Sequence, residues 1–218
     1  MIDFTKRVLA ETLGTAVLLT AVVGSGIMGE RLAGGNDAIA LLANSLATGA
    51  TLVCLILALG PISGAHLNPA VTTVAAAHGD LSWGEALRYI LAQVIGAGLG
   101  VIVANLMFGL DPISLSTHIR TGPHLWLGES IATAGLLAVI ILVARQRAEA
   151  VPVAVGCYIT GAYWFTSSTS FANPAVTLAR TLTDTFAGIR PDDVAGFILA
   201  QTTAVAIVIL ARRRLGRP

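Results

Sequence analysis

The chain has 218 residues, of which 55% are hydrophobic and only 11% are charged. Soluble globular proteins carry about 25% charged residues, so this chain lacks the charge for an ordinary hydrated surface. That excludes a soluble enzyme and a disordered segment. A net charge of +1 also offers no basic field to attract a nucleic acid. The composition predicts that a lipid bilayer surrounds the chain.

Six apolar stretches approach the length of about 20 residues that a helix needs to cross a bilayer. In chain order they are Val8–Met28, Ala38–Gly60, Leu87–Phe108, Leu125–Ala144, Val151–Thr166 and Val194–Ala211. We therefore expect an all-α membrane protein with six transmembrane helices. Cys54 and Cys157 lie inside apolar runs without metal-ligand spacing, and are expected to be small buried residues.

Two shorter apolar segments, Pro69–Ala77 and Pro174–Leu182, are too short to cross alone, and we expect each to be a re-entrant half-helix. Each segment begins at the Pro of the same five-residue string, Asn-Pro-Ala-Val-Thr, which occurs at residues 68–72 and again at 173–177. Paired short segments marked by proline are typical of inverted repeats in membrane transport proteins. We expect a single domain over residues 1–218. Repeat 1 would cover about 1–108 and repeat 2 about 125–218, joined by a loop over about 109–124.

The basic residues predict the orientation of the chain in the membrane. If six spans alternate, three basic residues fall on one side (Arg31, Arg120 and Arg190) and nine on the other. The nine are Lys6, Arg7, Arg88, Arg145, Arg147, Arg212, Arg213, Arg214 and Arg217. Because basic residues accumulate in cytoplasmic loops, both termini are expected in the cytoplasm.

The repeated Asn-Pro-Ala string has a physical meaning at the middle of a membrane. Asn is a good N-cap and Pro is favoured at the first helical position, so each string predicts the start of a short helix. Two helix N-termini that meet place two partial positive charges at one point, which opposes cations. Asn68 and Asn173 could each donate an amide N–H to a passing hydroxyl. The preceding segments, 61–67 and 167–172, could supply backbone carbonyl acceptors. This combination favours a neutral, hydrogen-bonding solute.

These motifs resemble the aquaporin, or major intrinsic protein, family over nearly the whole chain. Residues 63–72 (Ser-Gly-Ala-His-Leu-Asn-Pro-Ala-Val-Thr) and 171–175 (Phe-Ala-Asn-Pro-Ala) look like its two signature loops, with pore motifs Asn68-Pro69-Ala70 and Asn173-Pro174-Ala175. Glu11 and Glu129 match its paired buried glutamates, and Gln93 matches its third span. The resemblance implies a homotetramer with one pore per subunit, in a bacterial inner membrane. It also implies passive flow of water or small neutral solutes, with no enzymatic activity and no cofactor.

One departure from the family is informative. An Arg usually stands three residues after the second Asn at the narrowest zone, and Val176 occupies that position here. Counted from the motifs without gaps, the other three positions of this zone are Thr48, Gly161 and Ser170. This set predicts a wide, neutral constriction, similar to the aquaglyceroporin or metalloid-channel branch. Pore diameter and lining hydrogen-bond groups set selectivity, so arsenous acid, glycerol-like polyols and water are the expected solutes.

Two basic side chains near the motifs each allow two interpretations. Arg180 follows Val176 by one helical turn, and could reach the outer vestibule and partly replace the missing Arg. It could instead extend to the membrane interface or pair with Asp184. His66, at the cytoplasmic mouth, could bind solute or respond to pH, or could make a fixed hydrogen bond that holds its loop.

Glu11 and Glu129 lie inside spans, where a carboxylate suggests a functional site. We expect them to accept hydrogen bonds from the re-entrant loops. The alternative for these two glutamates is that one of them is the proton site of a secondary transporter. For the protein as a whole, a further alternative is a channel that passes mainly water. No nucleophile–base pair or metal motif appears, and the four histidines have no metal-ligand spacing, so neither an enzyme nor a bound metal is expected.

Overall fold

The computed structural model describes residues 3–214, with side chains described for residues 3–212. Within that range the regular structure is helical, without a β-strand. The α-helices are α1 (Phe4–Leu32), α2 (Asp37–Ser63), α3 (Pro69–His78), α4 (Trp83–Met107), α5 (Pro123–Gln146), α6 (Val151–Phe165), α7 (Pro174–Ala179) and α8 (Val194–Arg214). The all-α fold and the positions of the six long helices and two short ones are as predicted. Arg217 and the side chains of Arg213 and Arg214, which belong to the predicted basic set, lie outside the described part.

Five of the helices, α1, α2, α4, α5 and α8, are long and apolar enough to cross a membrane. Helix α6 has 15 residues and is extended at its start by a 3-10 turn, Ala148–Ala150. At 1.5 Å per residue α6 rises only about 22 Å, less than the roughly 30 Å hydrocarbon core. It is the shortest of the six predicted spans, as the sequence indicates.

The helices follow the same order of lengths twice: two long helices, a short one and a long one, first in α1–α4 and again in α5–α8. Helix α1 packs against α2 and α4, α5 packs correspondingly against α6 and α8, and α2 contacts α6 across the two halves. The close approach of α1 and α4 depends on two glycines. A Cβ added at Gly96 would lie 2.2 Å from the carbonyl oxygen of Thr12, and one at Gly100 would lie 2.2 Å from that of Ala16. Small residues therefore allow the backbones to touch.

Both short helices begin as the Asn-Pro string predicts. The Asn68 side-chain oxygen accepts a hydrogen bond from the Ala70 N–H (2.8 Å), and that of Asn173 accepts one from the Ala175 N–H (3.0 Å). Each Pro therefore occupies the first helical position, where its missing N–H leaves no donor unpaired. Helix α7 is shorter than the predicted segment Pro174–Leu182, because its last turn continues as a 3-10 turn over Arg180–Leu182.

The outward faces of the long helices are apolar. On α1, Leu9, Leu13 and Val17 recur at four-residue spacing and are about half exposed. Cys54 on α2 and Cys157 on α6 are also exposed, so the prediction that both are buried was wrong. In a membrane-spanning helix both faces are apolar, and composition alone does not distinguish the packed face from the outward one.

Candidate pore

One cavity of about 380 Å³ is bounded by both short helices and both loops that precede them. Its walls are largely apolar. At one end, here called the Arg212 end, the lining includes His78, Asp80, Arg145 and Arg212. At the other, here called the Arg180 end, it includes Thr48, Tyr163, Ser170, Val176 and Arg180. Among the described residues, this cavity is lined by the Asn of both Asn-Pro-Ala motifs, and we refer to it as the path.

Glu11 fixes the loop before α3. Its two carboxylate oxygens accept hydrogen bonds from the backbone N–H groups of His66 (3.0 Å) and Leu67 (2.7 Å). In a trans peptide the C=O points away from the N–H, so the carbonyls of Ala65 and His66 face the opposite side. Both residues line the cavity. The carboxylate therefore turns two backbone acceptors towards the path.

Glu129 does the same for the loop before α7. Its carboxylate accepts hydrogen bonds from the N–H groups of Phe171 (3.1 Å) and Ala172. By the same peptide geometry, the carbonyls of Ser170 and Phe171 point to the opposite side, towards the cavity. Ser170 and Phe171 both line that cavity. The loop backbone is strained. Ser170 (φ 50°) and Ala172 (φ 48°) are left-handed, as are Ala65 and Leu67 in the first loop. Such residues cost about 1–3 kcal/mol each and need support from their surroundings.

Two glutamines complete this support, of which the family resemblance predicts only Gln93. Gln93 donates to Glu11 (2.8 Å) and to the Thr72 hydroxyl (2.9 Å). Gln201 donates correspondingly to Glu129 (2.7 Å) and Thr177 (2.8 Å). A glutamine in the last helix of each half, a similar distance after the motif, was the signal that could have revealed Gln201.

The two glutamates are fully buried, and neither is among the residues that line the cavity. Each carboxylate is occupied by loop N–H groups and an amide. This arrangement favours the interpretation of Glu11 and Glu129 as loop supports over that of a proton site, because a carried proton needs access from the path.

Asn68 and Asn173 both line the cavity, and they also tie the two loops together. The Asn68 amide donates to the carbonyl of Ala172 (2.7 Å), and the Asn173 amide donates to that of Leu67 (2.8 Å). An amide NH₂ has two donors. One N–H of each Asn is therefore committed to the opposite loop, and one remains for a solute. The prediction of an Asn donor from each motif is refined to a single N–H from each.

At the Arg180 end, the structure corrects one of the four predicted constriction positions. Gly161 does not line the cavity, and a Cβ added there would approach only Phe165, which lies on the outward face. Val155, Ile159 and Tyr163 line the cavity instead, at the four-residue spacing of one helical face. Gly161 lies two residues from both Ile159 and Tyr163, and thus on the other side of α6. The ungapped count from the motifs gave the wrong helical phase.

The assignment of the remaining three positions to the constriction stays a prediction. Thr48, Ser170 and Val176 all line the cavity. The Thr48 hydroxyl and the Tyr163 hydroxyl are 3.3 Å apart and hydrogen-bonded. The end therefore combines three hydroxyl groups with one apolar side chain, and Tyr163 makes it narrower than a glycine would.

Arg180 is buried at this end, with only 2% of its surface exposed. Its Nε donates to the carbonyl oxygen of Ala187, and its guanidinium lies 3.5 Å from the centre of the Phe171 ring. The alternatives that placed Arg180 at the interface or in a pair with Asp184 were wrong. The Asp184 carboxylate instead accepts hydrogen bonds from the backbone N–H (2.8 Å) and hydroxyl of Thr117, and this bonding lowers the pKa of Asp184.

His66 combines both features that its two interpretations require. It lines the cavity, and its Nδ1 lies within hydrogen-bond distance of the Thr72 hydroxyl (3.2 Å). Its ring also meets that of Tyr89 edge-on, with 5.5 Å between centroids. The ring is therefore held in one orientation while it presents an edge to the path.

These features define a membrane protein in which a largely apolar cavity, with a row of backbone carbonyls and Asn amides along it, lies between two half-helices. Within residues 3–214, no three His, Cys, Asp or Glu side chains form a candidate metal site.

Comparison with known proteins agrees with this class. Residues 1–166 match the model of the major intrinsic protein family. The chain is 52% identical over 216 residues to the aquaglyceroporin AqpS of Rhizobium meliloti strain 1021, an alignment that covers 99% of this chain and 92% of the relative. It is 35% identical over 187 residues to aquaporin NIP2-1 of Zea mays, covering 81% of this chain and 61% of that protein.

The fold also resembles the X-ray structure of the aquaglyceroporin from Plasmodium falciparum, with a TM-score of 0.70 and 21% identity over 95% of this chain and 93% of that one. The chain belongs to the major intrinsic protein family. It is therefore a multi-pass membrane channel and not an enzyme.

The phase of α6 gives a first testable prediction. Replacing Tyr163 by Ala removes the largest side chain from the Arg180 end, and we expect the permeability to a larger polyol such as erythritol to rise at least threefold in reconstituted vesicles. Gly161→Ala is the matched control, because its added Cβ makes only an ordinary van der Waals contact with the outward-facing Phe165 (3.9 Å) and leaves the path unchanged. A rise in Gly161→Ala but not in Tyr163→Ala would contradict the assigned helical phase.

Proposed function

We propose that this chain is a passive channel for small uncharged solutes: glycerol-like polyols, metalloid hydroxides such as arsenous acid, and water. The observation that carries the proposal is the composition of the Arg180 end, where Val176 replaces the usual Arg and three hydroxyl groups line the path. The aquaglyceroporin relative supports the polyol part of the proposal. The metalloid part rests on the size and polarity of the constriction.

The walls suit a solute that has hydroxyl groups on one side and no charge. Backbone carbonyls of Ala65, His66, Ser170 and Phe171 offer acceptors, and one free N–H on each motif Asn offers a donor. Apolar side chains such as Leu52 and Val155 face the same cavity. A polyol can place its hydroxyl groups on the polar stripe and its C–H groups on the apolar wall. A hydrated ion cannot recover its lost hydration from so few groups.

The half-helices argue against cation transport. The N-terminus of helix α3 lies between the two loops, and the cap of α7 meets it there, so the partial positive charges of the two helix N-termini oppose a cation. Two alternatives remain distinct from the proposal. One is a channel that passes mainly water, and the other is a proton-coupled transporter that uses Glu11 or Glu129. The burial of both carboxylates away from the cavity supports the channel.

We also propose the setting of this channel. The chain would act as a homotetramer in a bacterial inner membrane with both termini in the cytoplasm, which places the Arg212 end and His66 towards the cytoplasm. The bacterial origin of the AqpS relative supports the location, and the distribution of basic residues supports the orientation. Repeats over about 1–108 and 125–218, joined by the loop over about 109–124, would form one pore per subunit.

Vesicles reconstituted with the purified protein test the proposal. Glycerol, arsenous acid and water fluxes are measured with and without a pH gradient, over a range of solute concentrations. We expect all three fluxes to exceed those of empty vesicles by at least fivefold and to rise linearly with solute concentration. We also expect them to be the same with and without the pH gradient. Fast water flux with no glycerol or arsenous acid flux would favour a water channel. Saturable, gradient-driven uptake would favour the transporter.

A further inference from the structure

The Arg180 end contains a buried cation with incomplete hydrogen bonding. Arg180 is 2% exposed and lines the cavity, and its Nη1 has no hydrogen-bond partner among the described residues. The guanidinium is held on its other side by the Ala187 carbonyl and by the Phe171 ring. Leaving an N–H of a charged group buried and unpaired costs free energy. A ligand that accepts a hydrogen bond from this N–H removes that cost, which favours its binding.

A second side chain without a hydrogen-bond partner among the described residues lines the same cavity. Ser170 immediately precedes Phe171, is 2% exposed, lines the same cavity, and its hydroxyl has no partner within the described range. The Thr48 and Tyr163 hydroxyls, which are hydrogen-bonded to each other, line the same cavity. Two residues that line this end therefore carry a charged N–H and a hydroxyl without partners in the described part of the chain, a pairing that suits an acceptor-rich ligand.

The surrounding charges favour an anion. Arg120 also approaches Phe171, with its guanidinium carbon 5.3 Å from the ring centre, while its own N–H groups bond to the carbonyls of Gly188 and Phe186. Arg120 and Glu129 are the charged groups that interact with Arg180 electrostatically. The Glu129 carboxylate is occupied by Phe171, Ala172 and Gln201. Two arginines thus face one already engaged carboxylate, and the net local charge is positive.

We propose that the Arg180 end binds one small monovalent oxyanion, of which a carboxylate is the simplest case, through Arg180 and Ser170. The inference builds on the proposed channel function, since the bound anion sits in the solute path and slows neutral solutes. A planar guanidinium with free N–H groups matches a carboxylate or sulfonate oxygen in geometry and charge. The absence of the Arg at position 176 leaves room for the ligand beside Val176.

The test measures glycerol flux in reconstituted vesicles at pH 7.5, with equal concentrations of sodium acetate, sodium methanesulfonate or sodium chloride on both sides. Methanesulfonate stays ionised, which separates binding from entry of a neutral acid. We expect both oxyanions to slow glycerol relative to chloride. The half-inhibiting concentration should rise at least tenfold in Arg180→Gln and severalfold in Ser170→Ala. Arg31→Gln, an exposed arginine on the same side, is the matched control and should behave as wild type.

A thermal unfolding measurement gives an independent readout that needs no flux. A ligand that binds only the folded state raises the unfolding midpoint, so methanesulfonate should stabilise the wild type and Arg31→Gln but not Arg180→Gln. Arg180→Lys, which keeps the charge, should retain part of the effect. Equal inhibition and equal stabilisation in wild type and Arg180→Gln, or none in the wild type, would overturn the oxyanion site. Absence of glycerol flux in wild-type vesicles in sodium chloride, with no oxyanion added, would instead overturn the proposed channel function.

Discussion

Replacing Glu129 by Ala is expected to destroy the second loop and, with it, conduction. The substitution leaves the N–H groups of Phe171 and Ala172 without an acceptor in a fully buried place. An unsatisfied buried donor costs about 1–3 kcal/mol, so two cost about 2–6 kcal/mol, which is much of the stability of a typical domain. The left-handed residues of the loop would also lose their support. We expect water permeability in vesicles to fall at least tenfold and the thermal midpoint in detergent to drop.

Two further variants separate support from proton transfer. Glu129→Gln keeps one acceptor oxygen and should give an intermediate loss, because a neutral amide holds the loop N–H groups more weakly than a carboxylate. Glu149→Ala removes an exposed glutamate between α5 and α6 and should behave as wild type. Normal water permeability in Glu129→Ala would contradict the role of this carboxylate as a loop support. Loss of a pH-driven flux alone, with the loop intact, would point to the transporter.

Restoring the family's usual residue in Val176→Arg is expected to convert the solute pore towards a water pore. Val176 is 5% exposed and lines the cavity at the level of the hydroxyl groups. An Arg there would fill the cross-section and place a second cation near Arg180. We expect glycerol and arsenous acid permeabilities to fall at least tenfold while water permeability falls less than threefold, measured on the same vesicle preparations.

The matched variant Val176→Leu distinguishes bulk from charge. It enlarges the side chain by one methylene without a charge, and we expect glycerol permeability to fall by no more than about threefold, because the change in the cross-section is small. Unchanged glycerol flux in Val176→Arg would mean that this position does not limit the path. An equal loss of water and glycerol would mean that the arginine blocks the channel altogether.

Features encoded by local chemistry were predictable from the sequence. The Asn-Pro strings specify a cap and a first turn in a few residues, so both half-helices begin where expected. Glu11 and Glu129 were recognisable as loop supports, because an intramembrane carboxylate needs donors and each half has a loop that offers them.

Features that depend on tertiary geometry were not predictable in this way. Whether Gly161 or Tyr163 faces the path depends on the rotation of α6, which packing with α2 and α5 determines. Both faces of a lipid-embedded helix are apolar, so hydrophobic periodicity does not indicate which side of α6 faces the path. Arg180 is buried because the segment after α7 folds back and places Ala187 and Phe171 against it. A spacing of four residues to Asp184 predicted a pair only on the assumption that the helix continued, and α7 ends at Ala179.

In the proposed channel, water and small polyols share one path through this chain. The glycerol reflection coefficient of reconstituted vesicles tests it most directly, because a solute that shares the water path exerts less than its full osmotic pressure. We predict a coefficient clearly below that of sucrose in the wild type, and a return towards the sucrose value in Val176→Arg. A wild-type coefficient equal to that of sucrose, at high water permeability, would contradict a shared solute pore.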